Sequence, residues 1–312
     1  MNNKKQKSLS PIQKLKNDFY IKREDLIPFS FGGNKARKAQ LFFNEIDCLK
    51  VSCVLTYGTS SSNHCRVVAN MAAQRGLPCY IIGPKEKSDE TFNSKLIELA
   101  NAKIEYYPVT EIHDAIEKKL NSLRQQGEKP YFIMGGGHGN LGTQAYIDCY
   151  NEIKRFEHDQ DIFFDYIFHA SGTGTTQAGL ICGKIMCEDY KREIIGISIA
   201  RDEQYGKRII KDSIKGYLNS TGYQLKNNEL DSLINFCDKY RMEGYGQGSV
   251  EINETIKEAY LNYGIPLDVT YTGKAFYGMQ DYLREKDIKG KKILFIHTGG
   301  TPLFFDSIEK MM

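Results

Sequence analysis

The chain has 312 residues, 41% hydrophobic, 12% aromatic and 26% charged, a composition that folds and excludes disorder, collagen-like repeats and low complexity. Its 42 Lys and Arg against 39 Asp and Glu leave a formal charge of +3, too balanced to point to nucleic acid or an anionic membrane surface. No apolar run approaches the about 20 residues that span a bilayer, and the lead MNNKKQKSLS lacks the apolar core of a secretory signal, so a cytoplasmic address is expected.

In chain order, strand-like runs fall at 18–23 (DFYIKR), 51–57 (VSCVLTY), 77–83 (LPCYIIG), 102–107 (AKIEYY), 130–134 (PYFIM), 164–169 (FDYIFH), 193–199 (EIIGISI) and 291–296 (KILFIH). Helical patterns occupy 36–49, 63–75, 90–100, 111–126, 140–155, 175–189 and 250–263. Most of the strands are continuous apolar runs, as expected of parallel strands covered on both faces. Strand–helix alternation of this kind predicts right-handed βαβ units and open α/β sheets. The polar segment EHDQD (157–161) separates two strand-rich halves, and 220–232 reads as a loose stretch. A small α/β domain over 40–145 and a larger one from 1–39 plus 146–312 follow, with the loops that matter converging at strand carboxyl ends in the crevice between them.

Eight cysteines, at 48, 53, 65, 79, 149, 182, 187 and 237, form no CxxC pair and no zinc-like spacing with histidine. Cys65, Cys79 and Cys182 lie in apolar stretches and read as buried reduced thiols. No metal site is expected.

Four glycine-bearing loops follow strands and open helices, where free N–H groups and a positive dipole end accommodate anions. In FGGNKARK (31–38), Lys35 stands at a helix start, an awkward place for a cation unless its amine is neutral or covalently joined. YGTSSSNHCR (57–66) supplies ordinary N-caps and also a hydroxyl-and-amide cradle suited to a carboxylate. MGGGHGNLG (134–142) spells GxGxxG with Gly137, Gly139 and Gly142, but the next strand ends FHASG, without the acidic residue that holds a ribose. It reads as a tight strand–helix turn. HASGTGTTQAGL (169–180) interleaves Thr173, Thr175 and Thr176 with Gly172, Gly174 and Gly179, a nest for one phosphate with no P-loop lysine after it. A single phosphate and a separate amine point to a phosphorylated aldehyde, pyridoxal 5'-phosphate.

With these loops stand IKREDL (21–26), SSNHCRVVANMAAQRG (61–76), EGYG (243–246), YTGKAFYGM (271–279) and ILFIHTGG (293–300). Together they cover nearly the whole chain, which resembles the fold-type-II pyridoxal-phosphate enzymes, in the group that contains D-cysteine desulfhydrase and 1-aminocyclopropane-1-carboxylate deaminase. The resemblance implies two open α/β domains of the tryptophan synthase β type, mostly parallel twisted sheets, an active site in the interdomain crevice and a homodimer. It implies that Lys35 is the Schiff-base lysine and that Lys38 lies near the cofactor phosphate, held by Thr173, Gly174, Thr175 and Thr176. Asn63 matches the amide beside the ring hydroxyl, and Ser62 with Asn63 and His64 the grip on the substrate carboxylate. Tyr245 and Tyr271 match two active-site tyrosines, and Thr298 the residue facing the ring nitrogen. His138 and His297 are expected to be structural.

The two activities of the group can be told apart chemically. The cyclopropane-opening deaminases carry YEGK, HLGG and SNQ where this chain has YTGK, HTGG and SNH. A carboxylate near the ring nitrogen favours the protonated ring, a strong electron sink. Thr272 and Thr298 leave it less protonated, which suits β-elimination of a good leaving group better than opening a carbon–carbon ring. The expected activity is therefore conversion of D-cysteine to pyruvate, hydrogen sulfide and ammonia. Lys35 would take the α-proton, with Tyr245 or Tyr271 serving the leaving group or the proton transfer. The alternatives are a 1-aminocyclopropane-1-carboxylate deaminase, a β-eliminase of another D- or sulfonated amino acid and, more remotely, a nucleotide-binding oxidoreductase using the 137–142 glycines.

Overall fold

Runs such as CVLTY and ILFIH have no polar face, so as strands they need cover on both sides. Among the described residues, two sheets meet that demand. The computed structural model describes residues 9–85, 90–224, 230–242, 244 and 246–311. It opens with β1 (Ile12–Lys16) and β2 (Phe19–Arg23), then helix α1 (Asn34–Leu49). There follow β3 (Cys53–Tyr57), α2 (Asn63–Ala73), β4 (Cys79–Pro84), α3 (Phe92–Leu99), β5 (Lys103–Tyr107), α4 (Ile112–Gln125) and β6 (Pro130–Ile133). Helix α5 (Asn140–Gln160) leads to β7 (Tyr166–Ser171), α6 (Thr175–Met186), β8 (Glu193–Ser198), α7 (Glu203–Thr221) and α8 (Leu230–Leu233). The chain closes with β9 (Asn235–Cys237), α9 (Val250–Tyr263), α10 (Thr272–Glu285), β10 (Ile293–His297) and α11 (Thr301–Met311).

The six-stranded sheet has the order β1-β2-β10-β7-β8-β9 and the four-stranded sheet β5-β4-β3-β6. All pairings are parallel except β1 with β2. Successive residues along a strand enter different cores, as strand geometry requires. Ile167, Ile194 and Leu294 join the core on one face of the larger sheet, and Phe168, Ile195 and Phe295 the core on the other. Val54 and Ile81 are divided from Leu55 and Ile82 in the same way on the smaller sheet. Cys65, Cys79 and Cys182 are buried among these side chains, and burial pushes each thiol up to about 12.

The segment EHDQD falls between the strands of the smaller sheet and the run β7–β10 of the larger one. It is the last turn of α5, which runs to Gln160 and stops at Asp161 in a left-handed conformation. Glu157 within it is buried, accepting from the backbone of Phe164 at 2.8 Å and pairing with Arg192 at 2.8 Å. Of the stretch 220–232, α7 reaches Thr221 and α8 begins at Leu230, while 225–229 lie outside the described residues. Positions 40 and 145, where the domain division was expected, fall within α1 and α5, two helices that pack on each other.

The carboxyl ends of β3 and β6 in one sheet and of β7 and β10 in the other lead into the loops at 58–62, 134–139, 172–174 and 298–300. A narrow cleft lies among these loops and the start of α1, lined by Lys35, Asn63, Gly172, Tyr271 and Thr298.

Candidate active site

The first turn of α1 is held against the end of β10 by backbone alone. Gly33 has φ +95°, and a Cβ there would stand 2.8 Å from the Thr298 carbonyl. A Cβ on Gly299 would stand 2.6 Å from the Gly33 Cα. Only glycine fits either loop at this approach. The Asn34 amide donates to the Thr298 carbonyl at 2.9 Å, which brings Lys35 to the cleft.

The rest of α1 is fixed by charge. Arg37 is buried and reaches Glu24 at 2.5 Å and Glu152 of α5 at 2.9 Å. Lys22 on β2 completes the cluster with Glu152 at 2.7 Å. Burial alone would raise the Glu152 carboxyl, but the hydrogen bonds and charge of Arg37, with Lys22, bring it down to about 2. The IKRED segment is thereby explained: its Lys22 and Glu24 anchor the helix that carries the two lysines of the site.

Lys35 is partly buried and its Nζ donates to the Gly136 carbonyl at 3.2 Å. Burial, then the charge of Arg201, lowers its pKa to about 8. Lys38, one turn along, is 1% exposed and its Nζ has no hydrogen-bond partner among the described residues. Burial and the nearby Lys35 push that amine well below the ordinary lysine range.

The loop after β7 enters α6 through Gly174 at φ +88°. Thr175 Oγ1 and His138 Nδ1 are hydrogen-bonded at 2.8 Å, and Asn34 Nδ2 donates to Thr176 Oγ1 at 3.2 Å. Thr173 packs against Gly136. Burial, then the charges of Lys38, Arg201 and Lys35, lowers the His138 pKa, so three basic side chains lie near that imidazole. Arg201 Nη1, like Lys38 Nζ, is buried with no hydrogen-bond partner among the described residues. Orphaned cationic atoms beside a helix amino terminus and threonine hydroxyls are the donor set of a phosphate site. The residues present therefore fit the phosphate of pyridoxal 5'-phosphate, with Lys35 within reach of an aldehyde on the same molecule.

On the opposite wall, Ser62 caps α2, its Oγ accepting from the His64 amide at 3.1 Å and the Cys65 amide at 3.4 Å. Asn63 Oδ1 accepts from Asn93 Nδ2 at 2.9 Å, and the residue lines the cleft. His64 turns its side chain the other way. Thr56 gives its hydroxyl proton to the Ile133 carbonyl at 2.7 Å, so the 2.8 Å contact with His64 has Nε2–H as donor. Burial, then the charges of Lys35 and Lys38, holds that imidazole neutral. What His64 offers a substrate is its place in the backbone of the α2 start.

Thr298 lines the cleft, as does Tyr271. Thr272 does not: its hydroxyl donates to Asp268 Oδ1 at 2.7 Å and accepts from the Asp268 amide at 2.9 Å. Asp268 also accepts from the Tyr271 amide at 2.8 Å, and a Cβ on Gly300 would be 2.4 Å from its Oδ1. Burial raises the Asp268 pKa. Tyr245 lies outside the described residues. The backbone beside it is held by Lys274 of the TGK segment, which donates to the carbonyls of Gly244 at 2.6 Å, Arg241 at 3.0 Å and Ile199 at 3.2 Å.

Arg201 and Asp268 were not singled out in the sequence; His138, expected to be structural, belongs to the 134–139 loop and bonds Thr175 of the threonine loop. His297 does pack structurally, its Nε2 2.8 Å from the Pro266 carbonyl. Arg201 follows β8 at a strand carboxyl end, the one signal that marked it.

Residues 5–299 match the family model described as pyridoxal-phosphate dependent enzyme. Proteins named "Putative 1-aminocyclopropane-1-carboxylate deaminase" from Pyrococcus furiosus and Pyrococcus horikoshii are 31% and 32% identical, each match covering 97% of this chain and 93% of the relative. A crystal structure described as an ACC deaminase homologue superposes with a TM-score of 0.86 at 30% identity, over 98% of this chain and 93% of that one. A hydrogen sulfide-producing enzyme from Fusobacterium nucleatum shares the fold with a TM-score of 0.64 at 18% identity, over 94% and 95% of the two chains.

Proposed function

The chain belongs to the fold-type-II pyridoxal-phosphate-dependent enzymes, in the group of 1-aminocyclopropane-1-carboxylate deaminase and D-cysteine desulfhydrase, and on that premise we propose that it converts D-cysteine and water to pyruvate, hydrogen sulfide and ammonia. Pyridoxal phosphate, when bound, supplies an electron sink conjugated to the substrate α-carbon. Lys35 would hold its aldehyde carbon, Asn63 its ring hydroxyl through Nδ2 and Thr298 its ring nitrogen. Lys38, Thr173, Gly174, Thr175 and Thr176, with Arg201, would hold the phosphate. Ser62 and the amino-terminal end of α2, from Asn63 and His64, receive the substrate carboxylate.

The proton steps fall to the chain's own side chains. Lys35 Nζ removes the α-proton, a task for a neutral amine and one that a pKa near 8 favours. Tyr271, on the cleft wall, or Tyr245 protonates the departing sulfur. Two open α/β domains, 40–145 and 1–39 plus 146–312, a homodimer and a cytoplasmic setting belong to the same reading. Among the described residues no helix is long and apolar enough to cross a membrane.

One observation carries the choice of D-cysteine. Among the described residues, those lining the cleft include Thr298 and no carboxylate, which favours elimination of a good leaving group over ring opening. A second reading, a 1-aminocyclopropane-1-carboxylate deaminase, draws on the Pyrococcus relatives and on Asp268, a carboxylate buried close behind Gly300. Parallel assays separate the two. Pyruvate and sulfide from D-cysteine, without 2-oxobutyrate from the cyclopropane amino acid, support the proposal; the reverse pattern selects the deaminase.

A further inference from the structure

Of the four arginines buried among the described residues, three are neutralised. Arg23 pairs with Asp25 at 2.7 Å, Arg37 with Glu24 and Glu152, and Arg192 with Glu157 and Asp189. Arg66 on α2 is 1% exposed and has no carboxylate partner among the described residues. Its Nη1 donates to the carbonyl and, at 3.0 Å, the hydroxyl of Ser30, and its Nη2 reaches Asn63 Oδ1 at 3.5 Å. Its Nε is buried with no partner among the described residues. Neutral acceptors do not offset a buried charge that lacks a counter-ion. Accordingly burial lowers the guanidinium to about 10.

That guanidinium borders a groove of about 440 Å³ between the 27–31 segment, α2 and α3, within the about 300–1,000 Å³ usual for small-molecule sites. The groove shares no lining residue with the cofactor cleft. Its walls are mostly apolar, with Phe29 and Leu96 lining it beside Asn70, and with Phe31, whose ring centroid is 5.8 Å from the guanidinium carbon, and Leu99 54% and 79% exposed. A mostly apolar groove bordered by one unneutralised cation suits an organic anion with an apolar body.

We propose that this groove is a second binding site, distinct from the cofactor cleft, for a small amphipathic carboxylate that pairs with Arg66 and lays its apolar part on Phe29, Phe31, Leu96 and Leu99. The site lies one side chain from the cleft, because the same guanidinium touches Asn63.

Calorimetric titration of the cofactor-loaded protein with 4-phenylbutyrate, and with neutral 4-phenylbutanamide, tests this without reference to turnover. The expected result is one carboxylate per chain and amide binding weaker by at least about tenfold, the value of a charge-assisted contact. Arg66→Met is expected to abolish the preference for the anion. Leu99→Glu, at the exposed rim, is expected to weaken the carboxylate by about tenfold or more through like-charge repulsion, with the cofactor absorbance unchanged. Should Arg66→Met fail to fold, Leu99→Glu decides. Absence of binding, or binding that either substitution leaves unaltered, overturns the proposal. So does conversion of an oligomer to monomer by Leu99→Glu in sedimentation, since the groove would then be a contact between copies.

Discussion

A lysine in the first turn of a helix sits at the positive end of the dipole, and Lys35 sits there with Arg201 nearby and little water. Both effects favour the neutral amine, which is the form that attacks an aldehyde. Rebinding of pyridoxal phosphate to the cofactor-free protein should therefore quicken as pH rises through about 8 and level off above it, followed by stopped-flow absorbance. Removing the second cation with Arg201→Gln should move that midpoint upward, toward the ordinary lysine value. In the cofactor-free protein the sign for stability is equally fixed. A lysine at about 8 folded and 10.5 unfolded burdens the fold below pH 8, and the burden lifts between 8 and 10.5. Lys38→Met should leave Lys35 able to attach the cofactor but weaken cofactor affinity, measured by equilibrium dialysis, by about 10- to 100-fold, one hydrogen bond to a charged group. That Lys35, Asn63, Gly172 and Thr298 come together at one cleft was legible in the sequence, because each lies in a short motif at a strand end. Arg201 and Asp268 were not, because their roles arise from neighbours brought in by folding: three cations around His138, and the Tyr271 and Thr272 amides around one carboxylate.

At the scale of elements, β3, β7, β8 and β10 were readable because strands sandwiched between helices need unbroken apolar sequence. The edge strand β1 was not, since IQKLK shows three of its five residues to solvent. The helical nature of EHDQD was hidden for a related reason: its polar residues decorate the end of α5, while Glu157 goes inward to Arg192. Helix α1 depends on the buried cluster of Lys22, Glu24, Arg37 and Glu152 more than on any propensity. Arg37→Met leaves two buried carboxylates with only Lys22 between them, and should cost about 3–5 kcal/mol of stability. Urea unfolding of the cofactor-loaded protein checks this, and an unchanged midpoint would remove the cluster from the account. Because α1 carries Lys35 and Lys38, the same variant should also lose cofactor before the rest of the chain unfolds.

For the whole molecule, two sheets present their strand carboxyl ends to one cleft, and α1 and α5 join the units that contain them. The charges at that junction give the protein a characteristic acid response. Glu152 is held at about 2 against a reference of 4.5, so the stability it contributes is present above pH 4.5 and drains away as pH falls toward 2. Thermal unfolding from pH 7 to 2 should show a midpoint that declines chiefly below about 4.5, and Glu152→Gln should flatten that decline. The claim on which the functional account stands is that Lys35, and no other amine, carries the cofactor. Borohydride reduction of the purified yellow protein, followed by digestion and mass spectrometry, addresses it directly. The expected result is loss of the visible absorbance band, with the pyridoxyl phosphate mass on the peptide that holds Lys35. The mass on Lys38 or another lysine, or a protein that stays colourless when pyridoxal phosphate is added, would contradict the account.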